Sequence, residues 1–95
     1  MPLFTLTKMA VVDLMEIGRY TQQAWGKEQR VLYLNMLDAC FTKLAERLLL
    51  GKGCDEVRTD YRKFNIGSHI VFYRQTENKT IEVVRILHCN MDAEI

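Results

Sequence analysis

The apolar residues of this chain change their spacing once, near Gly51–Cys54, and this change constrains the fold more than any other feature. Before it, apolar side chains recur every three or four residues, as on one face of an α-helix. After it, they recur every second residue, as on one face of a β-strand. We therefore predict an α+β domain in which a pair of helices packs on an antiparallel sheet, in the order β-α-α-β-β-β.

The first half is predicted to contain a short strand and a helical hairpin. Residues 3–6 form an apolar, β-branched run that fits a strand, and the hydroxyl of Thr7 can cap the helix that follows. The first helix is expected over 8–25, with Gly26 at its end, and the second from 27 or 28 to about 49. Two helices joined by so short a turn form an antiparallel hairpin.

Each predicted helix has one apolar face and one polar face. On the second helix three apolar side chains, Leu32, Met36 and Cys40, fall outside the main apolar stripe, so this helix can face a partner as well as the core. That they merely flank the core is an equal alternative. The inward positions are Ala10, Leu14, Ile17, Thr21 and Ala24 on the first helix, and Leu34, Leu37, Phe41, Leu44 and Leu48 on the second. The outward positions of the first helix are Asp13, Glu16, Arg19 and Gln23.

The second half is predicted to contain three strands, over 57–66, 69–75 and 81–88, separated by turns at Gly67–Ser68 and 77–79. The last strand is apolar on both sides, which is typical of a central strand covered twice. The helical hairpin supplies one cover, and helix ends, a tail or a bound partner could supply the other. Simple alternation directs Ile81, Val83 and Leu87 to one face, and Val84 and Ile86 to the opposite face.

Size and charge narrow the classes of function. The 95 residues fit a single domain over 1–95, and 13 basic against 12 acidic side chains leave a net charge of +1. This balance disfavours a protein that coats nucleic acid or anionic membrane, because both need an excess of Lys and Arg. No secretory signal or membrane span is recognisable, so we expect a cytoplasmic protein without membrane contact.

The sequence contains no recognisable metal or cofactor motif. The three cysteines, Cys40, Cys54 and Cys89, are odd in number and widely separated, so we expect reduced thiols and no zinc site. No phosphate-binding loop or paired-metal spacing is present either, so we expect no metal and no cofactor. The histidines His69 and His88 open one strand and close another, so they could approach across a sheet end as an acid–base pair. Hydrogen bonding to the backbone is the simpler interpretation. The aromatic residues, Tyr20 and Trp25 included, are assigned to the core.

Five cations lie in the sheet half: Arg58, Arg62, Lys63, Arg74 and Arg85. They could hold RNA phosphates, but interspersed acidic residues favour a mixed-charge surface. Arg85 shares a predicted strand face with Val83 and Leu87, so its guanidinium needs an acceptor or a place at the rim.

Four segments together resemble ParE-type toxins of the RelE/ParE superfamily. Residues 13–37 resemble the helical hairpin of that family, and the resemblance extends over about 3–92. The other matching segments are 54–58 with 61–64, Gly67-Ser68-His69-Ile70-Val71-Phe72-Tyr73-Arg74, and Val84-Arg85-Ile86-Leu87-His88 followed by Met91-Asp92.

The resemblance implies the toxin of a type II toxin–antitoxin system. Such a toxin is a non-enzymatic inhibitor of DNA gyrase that traps the cleaved-DNA complex and blocks replication. A ParD-like antitoxin with a ribbon-helix-helix domain neutralises it in a hetero-oligomer, and operator DNA is bound only through that complex. No catalytic residue, metal or other cofactor is implied.

Two alternatives remain. RelE-type members of the superfamily are ribosome-dependent mRNA endoribonucleases, and they often carry Arg at the positions of Ile70 and Asn90, where this chain has none. Many ParE-like sequences also carry Arg at the position of Asn90, so a detoxified antitoxin-binding module is the second alternative.

Two groups of residues are predicted contact sites. Target or antitoxin contacts are assigned to Arg58, Arg62, Arg74, Arg85, His88 and Asp92. Antitoxin-facing helix positions are assigned to Leu32, Met36 and Cys40.

Overall fold

A computed structural model describes residues 4–77 and 79–90 and has the predicted order of elements. The elements are β1 (Phe4–Leu6), α1 (Lys8–Trp25), α2 (Lys27–Glu46), a 3₁₀ turn (Leu48–Leu50), β2 (Lys52–Gly53), β3 (Arg62–Ile66), β4 (His69–Gln75) and β5 (Ile81–His88). The strands form one sheet in the order β1-β5-β4-β3-β2. Neighbouring strands are antiparallel except β1, which pairs in parallel with β5. The predicted α+β architecture is therefore confirmed, with β2 as an added edge strand.

Thr7 fixes the start of α1 to the sheet. Its hydroxyl oxygen accepts a hydrogen bond from the Ala10 amide at 3.0 Å, as the sequence predicts for a cap. The same hydroxyl donates to the Val84 carbonyl at 2.7 Å, and the Thr7 amide donates to the Val83 carbonyl at 3.1 Å. Between the helices, Gly26 has φ 96° and ψ 171°, a conformation that side chains disfavour.

The core lies between the hairpin and one face of the sheet. The predicted stripes supply Ala10 and Ile17 from α1, and Leu37, Phe41 and Leu44 from α2, all buried. The sheet contributes Val71, Tyr73, Ile81, Val83 and Ile86. Ala24 is exposed, contrary to the prediction, because it lies in the last turn of α1.

The second helix ends at Glu46, three residues before the predicted end near 49. The buried hydroxyl of Tyr73 explains the change. It donates to the Leu48 carbonyl at 2.7 Å and accepts from the Gly51 amide at 2.9 Å. These bonds hold the following segment as a 3₁₀ turn against β4, so the α-helix does not continue.

A β-bulge in β5 changes which side chains face the helices. Phe72 pairs with Arg85 whereas Tyr73 pairs with Val83, so Val84 is one extra residue. Beyond the bulge the alternation is reversed. Ile86 therefore joins Ile81 and Val83 in the core, and Leu87 lies in a second cluster. The prediction that Leu87 faces the same way as Ile81 and Val83 is wrong for this reason.

The second face of the sheet is covered by the loop 54–61. The prediction of a strand from residue 57 is wrong, because the chain turns here through hydrogen bonds such as Val57 N–H to the Cys54 carbonyl at 2.9 Å. Cys54 is fully buried with Phe72 and Leu87. The partly buried residues Val57, Tyr61 and Ile70 pack against them. A loop of the same chain thus provides the second cover of β5.

Candidate functional site

An open groove with a volume of ≈1030 Å³ runs between α1, the start of α2 and one end of the sheet. Asp13, Tyr20 and Trp25 line it from α1, and Tyr33 from α2. Tyr20 is 67% exposed and Trp25 is 72% exposed. Large aromatic side chains left open beside a groove are typical of a surface that binds a partner.

The floor of the groove is apolar. Ile17 of α1 and Ile86 and Leu87 of β5 line it, together with Thr21. The Thr21 hydroxyl donates to the Ile17 carbonyl at 2.7 Å within its own helix. Because this bond satisfies the hydroxyl internally, Thr21 adds no demand for a polar partner.

One end of the groove is formed by Tyr33, Ser68, His69 and His88. The two histidines do approach across a sheet end, the less favoured of the two interpretations. They are opposed in register, and their ring centroids lie 5.5 Å apart. Backbone hydrogen bonding, the favoured one, is found for His88, which accepts from the Asn90 amide, whereas His69 contacts the Tyr33 side chain. The Tyr33 hydroxyl lies 2.6 Å from His69 Nδ1 and accepts from the Ser68 amide at 3.1 Å.

Burial lowers the pKa of His69 below its ordinary value of 6.5. The neighbouring His88 lowers this pKa further, and the carboxylate of Asp13 opposes both effects. The turn between β3 and β4 contains Gly67, whose φ is 56° and whose backbone lies against the Tyr33 ring. This position therefore requires a residue without a side chain.

Asp13 and Arg85 join α1 to β5 beside the groove. The carboxylate accepts from Arg85 Nε at 2.8 Å and Nη2 at 3.0 Å, and from the Ile86 amide at 2.9 Å. The Asp13 hydrogen bond raises the pKa of the Arg85 guanidinium, and burial opposes it. The prediction that Asp13 points outward is wrong, because Arg85 needs an acceptor and Asp13 provides it.

The other predicted cations are spread over the surface. Arg74 pairs with Glu82 at 3.0 Å, and Arg62 donates to the Gly51 carbonyl at 2.9 Å. Arg58 is exposed in the loop 54–61. Of the predicted contact residues, His88 lines the groove, whereas Arg58, Arg62, Arg74 and Arg85 do not. Asp92 lies outside the described residues.

The three predicted helix positions differ in exposure. Leu32 is 62% exposed and Met36 is half-buried. Cys40 lies in the core, and burial raises its pKa to about 11 while Lys43 opposes the shift. Of these three positions, only Leu32 and Met36 therefore offer side-chain surface to a partner. Cys54 is also a buried free thiol, and Cys89 is an exposed one.

Sequence reasoning missed the aromatic wall of the groove. The sequence predicts Tyr20 and Trp25 in the core. In the structure they are among the most exposed of the large apolar side chains. Their positions offered a signal, because neither belongs to the inward stripe of α1.

Across the described ranges, no three His, Cys, Asp or Glu side chains meet in a way that could hold a metal ion. Neither long helix there has the length and apolar character needed to cross a membrane.

Comparison with known proteins gives a consistent set of similarities. Residues 4–93 match the family model described as "ParE toxin of type II toxin-antitoxin system, parDE". The chain is 41% identical over 91 residues to Toxin ParE1 of Mycobacterium tuberculosis (strain CDC 1551 / Oshkosh), covering 96% of this chain and 93% of that protein. It is 37% identical over 90 residues to Toxin ParE1 of Caulobacter vibrioides, covering 95% and 92%.

A solved structure shares the fold. It is described as "Chromosomal ParDE TA system from P. aeruginosa" and superposes with a TM-score of 0.75. The match covers 90% of this chain and 92% of that chain at 18% identity. The arrangement of a hairpin on a mixed sheet is therefore found in a solved toxin–antitoxin protein.

Proposed function

Because the chain belongs to the ParE toxin family of type II toxin–antitoxin systems, we propose that it inhibits DNA gyrase. It binds gyrase without enzymatic turnover, traps the cleaved-DNA complex and so blocks replication in the cytoplasm. The observation that carries this proposal is the match to the ParE family model over residues 4–93.

The partners of three arginines in the sheet half support inhibition of a protein target rather than RNA cleavage. A ribonuclease needs positive charge directed at the scissile phosphate. Here Arg85 is committed to Asp13, Arg74 to Glu82 and Arg62 to a backbone carbonyl. Ile70, at a position where ribonuclease members often place Arg, packs against the second apolar cluster of Cys54, Phe72 and Leu87.

The groove between α1 and the sheet supports a partner that supplies an apolar segment. We assign this partner as a ParD-like ribbon-helix-helix antitoxin that forms a hetero-oligomer with the toxin. Tyr20 and Trp25 provide aromatic surface at the groove. Leu32, which is exposed, and Met36, which is half-buried, are proposed as further antitoxin contacts on α2. Operator DNA is then bound only through the antitoxin in the complex.

The residues proposed for target or antitoxin contact differ in how far their polar groups serve the fold. Arg58 is exposed in the loop 54–61, and Arg74 keeps 43% of its side chain exposed beside Glu82. His88 lines the groove, and Asp92, which lies outside the described residues, is proposed from the sequence resemblance alone. Arg62 and Arg85 have mainly structural roles, because their guanidinium groups donate hydrogen bonds to the Gly51 carbonyl and the Asp13 carboxylate, respectively.

Induction in bacteria tests the proposal at the level of the cell. Expression of the chain should arrest growth with intact transcripts, and co-expression of the antitoxin should restore growth. Transcripts cut during translation would replace the proposal by the ribonuclease alternative. Normal growth on induction would leave only the detoxified binding module.

A further inference from the structure

One end of the groove presents two imidazole rings side by side. His69 opens β4 and His88 closes β5 directly opposite, with an angle of 81° between the ring planes. Both rings line the groove. What this end can bind depends on where each ring carries its hydrogen.

The hydrogen of neutral His88 is at Nε2. The Asn90 backbone amide lies 3.2 Å from His88 Nδ1. A backbone amide can only donate, so Nδ1 is the acceptor and carries no hydrogen. The Nε2–H group of His88 is therefore a donor.

The same assignment follows for His69. The Tyr33 oxygen already accepts a hydrogen bond from the Ser68 amide, so we assign its hydroxyl hydrogen to the 2.6 Å contact with His69 Nδ1. The lowered pKa of His69 agrees with a neutral ring that accepts at Nδ1. Among residues 4–77 and 79–90, no acceptor is hydrogen-bonded to Nε2 of either ring.

Among the described residues, the carboxylates that line the groove already have partners. From α1, Asp13 accepts from Arg85 and from the Ile86 amide, and Glu16 lies 3.4 Å from Arg19. From α2, the described group in contact with His69 is the Tyr33 hydroxyl. An acceptor for the two N–H groups can therefore come from a molecule that enters the groove.

We propose that the Nε2–H groups of His69 and His88 bind an acidic side chain, Asp or Glu, of the antitoxin segment that fills the groove. The identity of this occupant rests on the proposed function. A carboxylate accepts two hydrogen bonds at once, which suits two donors on neighbouring strands. Its negative charge beside His69 favours the protonated ring, so binding raises the pKa of His69 and takes up a proton.

The proton uptake fixes the sign of a pH dependence. In the free protein the pKa of His69 lies below its ordinary value of 6.5, so the neutral ring predominates at that pH. Binding of the carboxylate raises that pKa, so affinity increases as pH falls and levels off once free His69 is itself protonated. One proton gives at most about a tenfold change in affinity per pH unit.

Isothermal titration of the purified toxin with its antitoxin measures this linkage. We expect affinity to increase roughly threefold to tenfold between about pH 8 and about pH 6 in the presence of EDTA. His69→Gln keeps an N–H donor that does not titrate, so its affinity should vary less with pH than that of the wild-type protein. Leu49→Ala, on the exposed 3₁₀ turn, should keep the wild-type profile. A flat profile for the wild-type protein, or an unchanged profile for His69→Gln, would overturn the proposal.

Substitutions in the antitoxin identify the acidic residue. Each Asp or Glu in its toxin-binding segment is changed singly to Asn or Gln. One of these changes should remove the pH dependence of wild-type binding, and the part of its effect that varies with pH should be smaller in the His69→Gln background. Retention of the full pH dependence by every substituted antitoxin would contradict the proposal.

A measurement without antitoxin separates this inference from the proposed function. The His69 and His88 ring protons are followed by NMR during pH titrations in sodium acetate and in sodium chloride of equal ionic strength. Acetate should raise the pKa of His69 relative to chloride, and identical titration curves would overturn the inference. If no antitoxin binds the wild-type protein at any pH, the antitoxin part of the proposed function fails, and the acetate result still decides the inference.

Discussion

Asp13 on α1 holds Arg85 on β5 through two hydrogen bonds of 2.8 and 3.0 Å, and a third bond joins the same carboxylate to the Ile86 amide. The side chains are only 12% and 20% exposed. This contact lies one residue beyond the bulge at Val84. It therefore joins the hairpin to the part of β5 where the side-chain alternation reverses.

Asp13→Ala is expected to destabilise the domain by about 2 kcal/mol, since it leaves a largely buried guanidinium and a backbone amide without their acceptor. Urea unfolding measures the change. Glu16→Ala, on the same helix, removes an exposed pair with Arg19 and should cost no more than about 0.5 kcal/mol. Equal effects of the two substitutions would contradict the structural role of Asp13.

Tyr73→Phe is expected to cost about 1–3 kcal/mol of stability. The lost hydroxyl bonds the Leu48 carbonyl and the Gly51 amide from a fully buried ring, so its removal leaves both backbone groups unsatisfied. Thermal or urea unfolding provides the measurement. Tyr20→Phe removes an exposed hydroxyl and should leave stability unchanged. A Tyr73→Phe protein as stable as wild type would disprove this role for the hydroxyl.

The stability of the free toxin is expected to fall as pH drops below about 6.5, because the pKa of His69 is lower in the folded state. Above 6.5 the ring is neutral in both states and its contribution is fully present. Between 6.5 and the lower folded value, the unfolded state binds more protons, so stability decreases with acidification. Unfolding free energies from about pH 8 to about pH 5 should decrease less for His69→Gln than for wild type. Parallel curves would be inconsistent with the lowered pKa.

Trp25→Ala should weaken antitoxin binding by roughly tenfold or more, because a large aromatic side chain at a groove contributes most when it is covered by a partner. The stability of the Trp25→Ala variant should equal that of the wild-type protein, since Trp25 is 72% exposed in the free protein. Leu49→Ala is the matched control, as Leu49 is 75% exposed and lies outside the groove. Similar affinities for Trp25→Ala and wild type would exclude this part of the groove from the interface.

The helices were predictable because their packing is local and periodic. Leu37, Phe41 and Leu44 are three and four residues apart, and this spacing alone directs them to one side. Thr7 and Gly26 were predictable for a similar reason, since a hydroxyl suits the beginning of a helix and the lack of a side chain suits its end.

The errors arose where contacts between distant residues override a local pattern. One extra residue, Val84, reverses the face of Leu87, and no local rule marks that residue as a bulge. Asp13 has the spacing of an exposed helix position, but a cation 72 residues away draws it toward the sheet. The groove was missed because it combines α1, α2, β4 and β5, and its aromatic residues have the composition of a core.

Plasmid supercoiling by DNA gyrase tests the central claim most directly. Gyrase, ATP and relaxed plasmid are incubated with increasing amounts of the purified toxin, and bound protein is then removed with detergent and protease. We expect loss of supercoiled product together with accumulation of linear, cleaved plasmid, and both effects should disappear when toxin is first mixed with antitoxin. Normal supercoiling at saturating toxin, with no cleaved plasmid, would contradict the account.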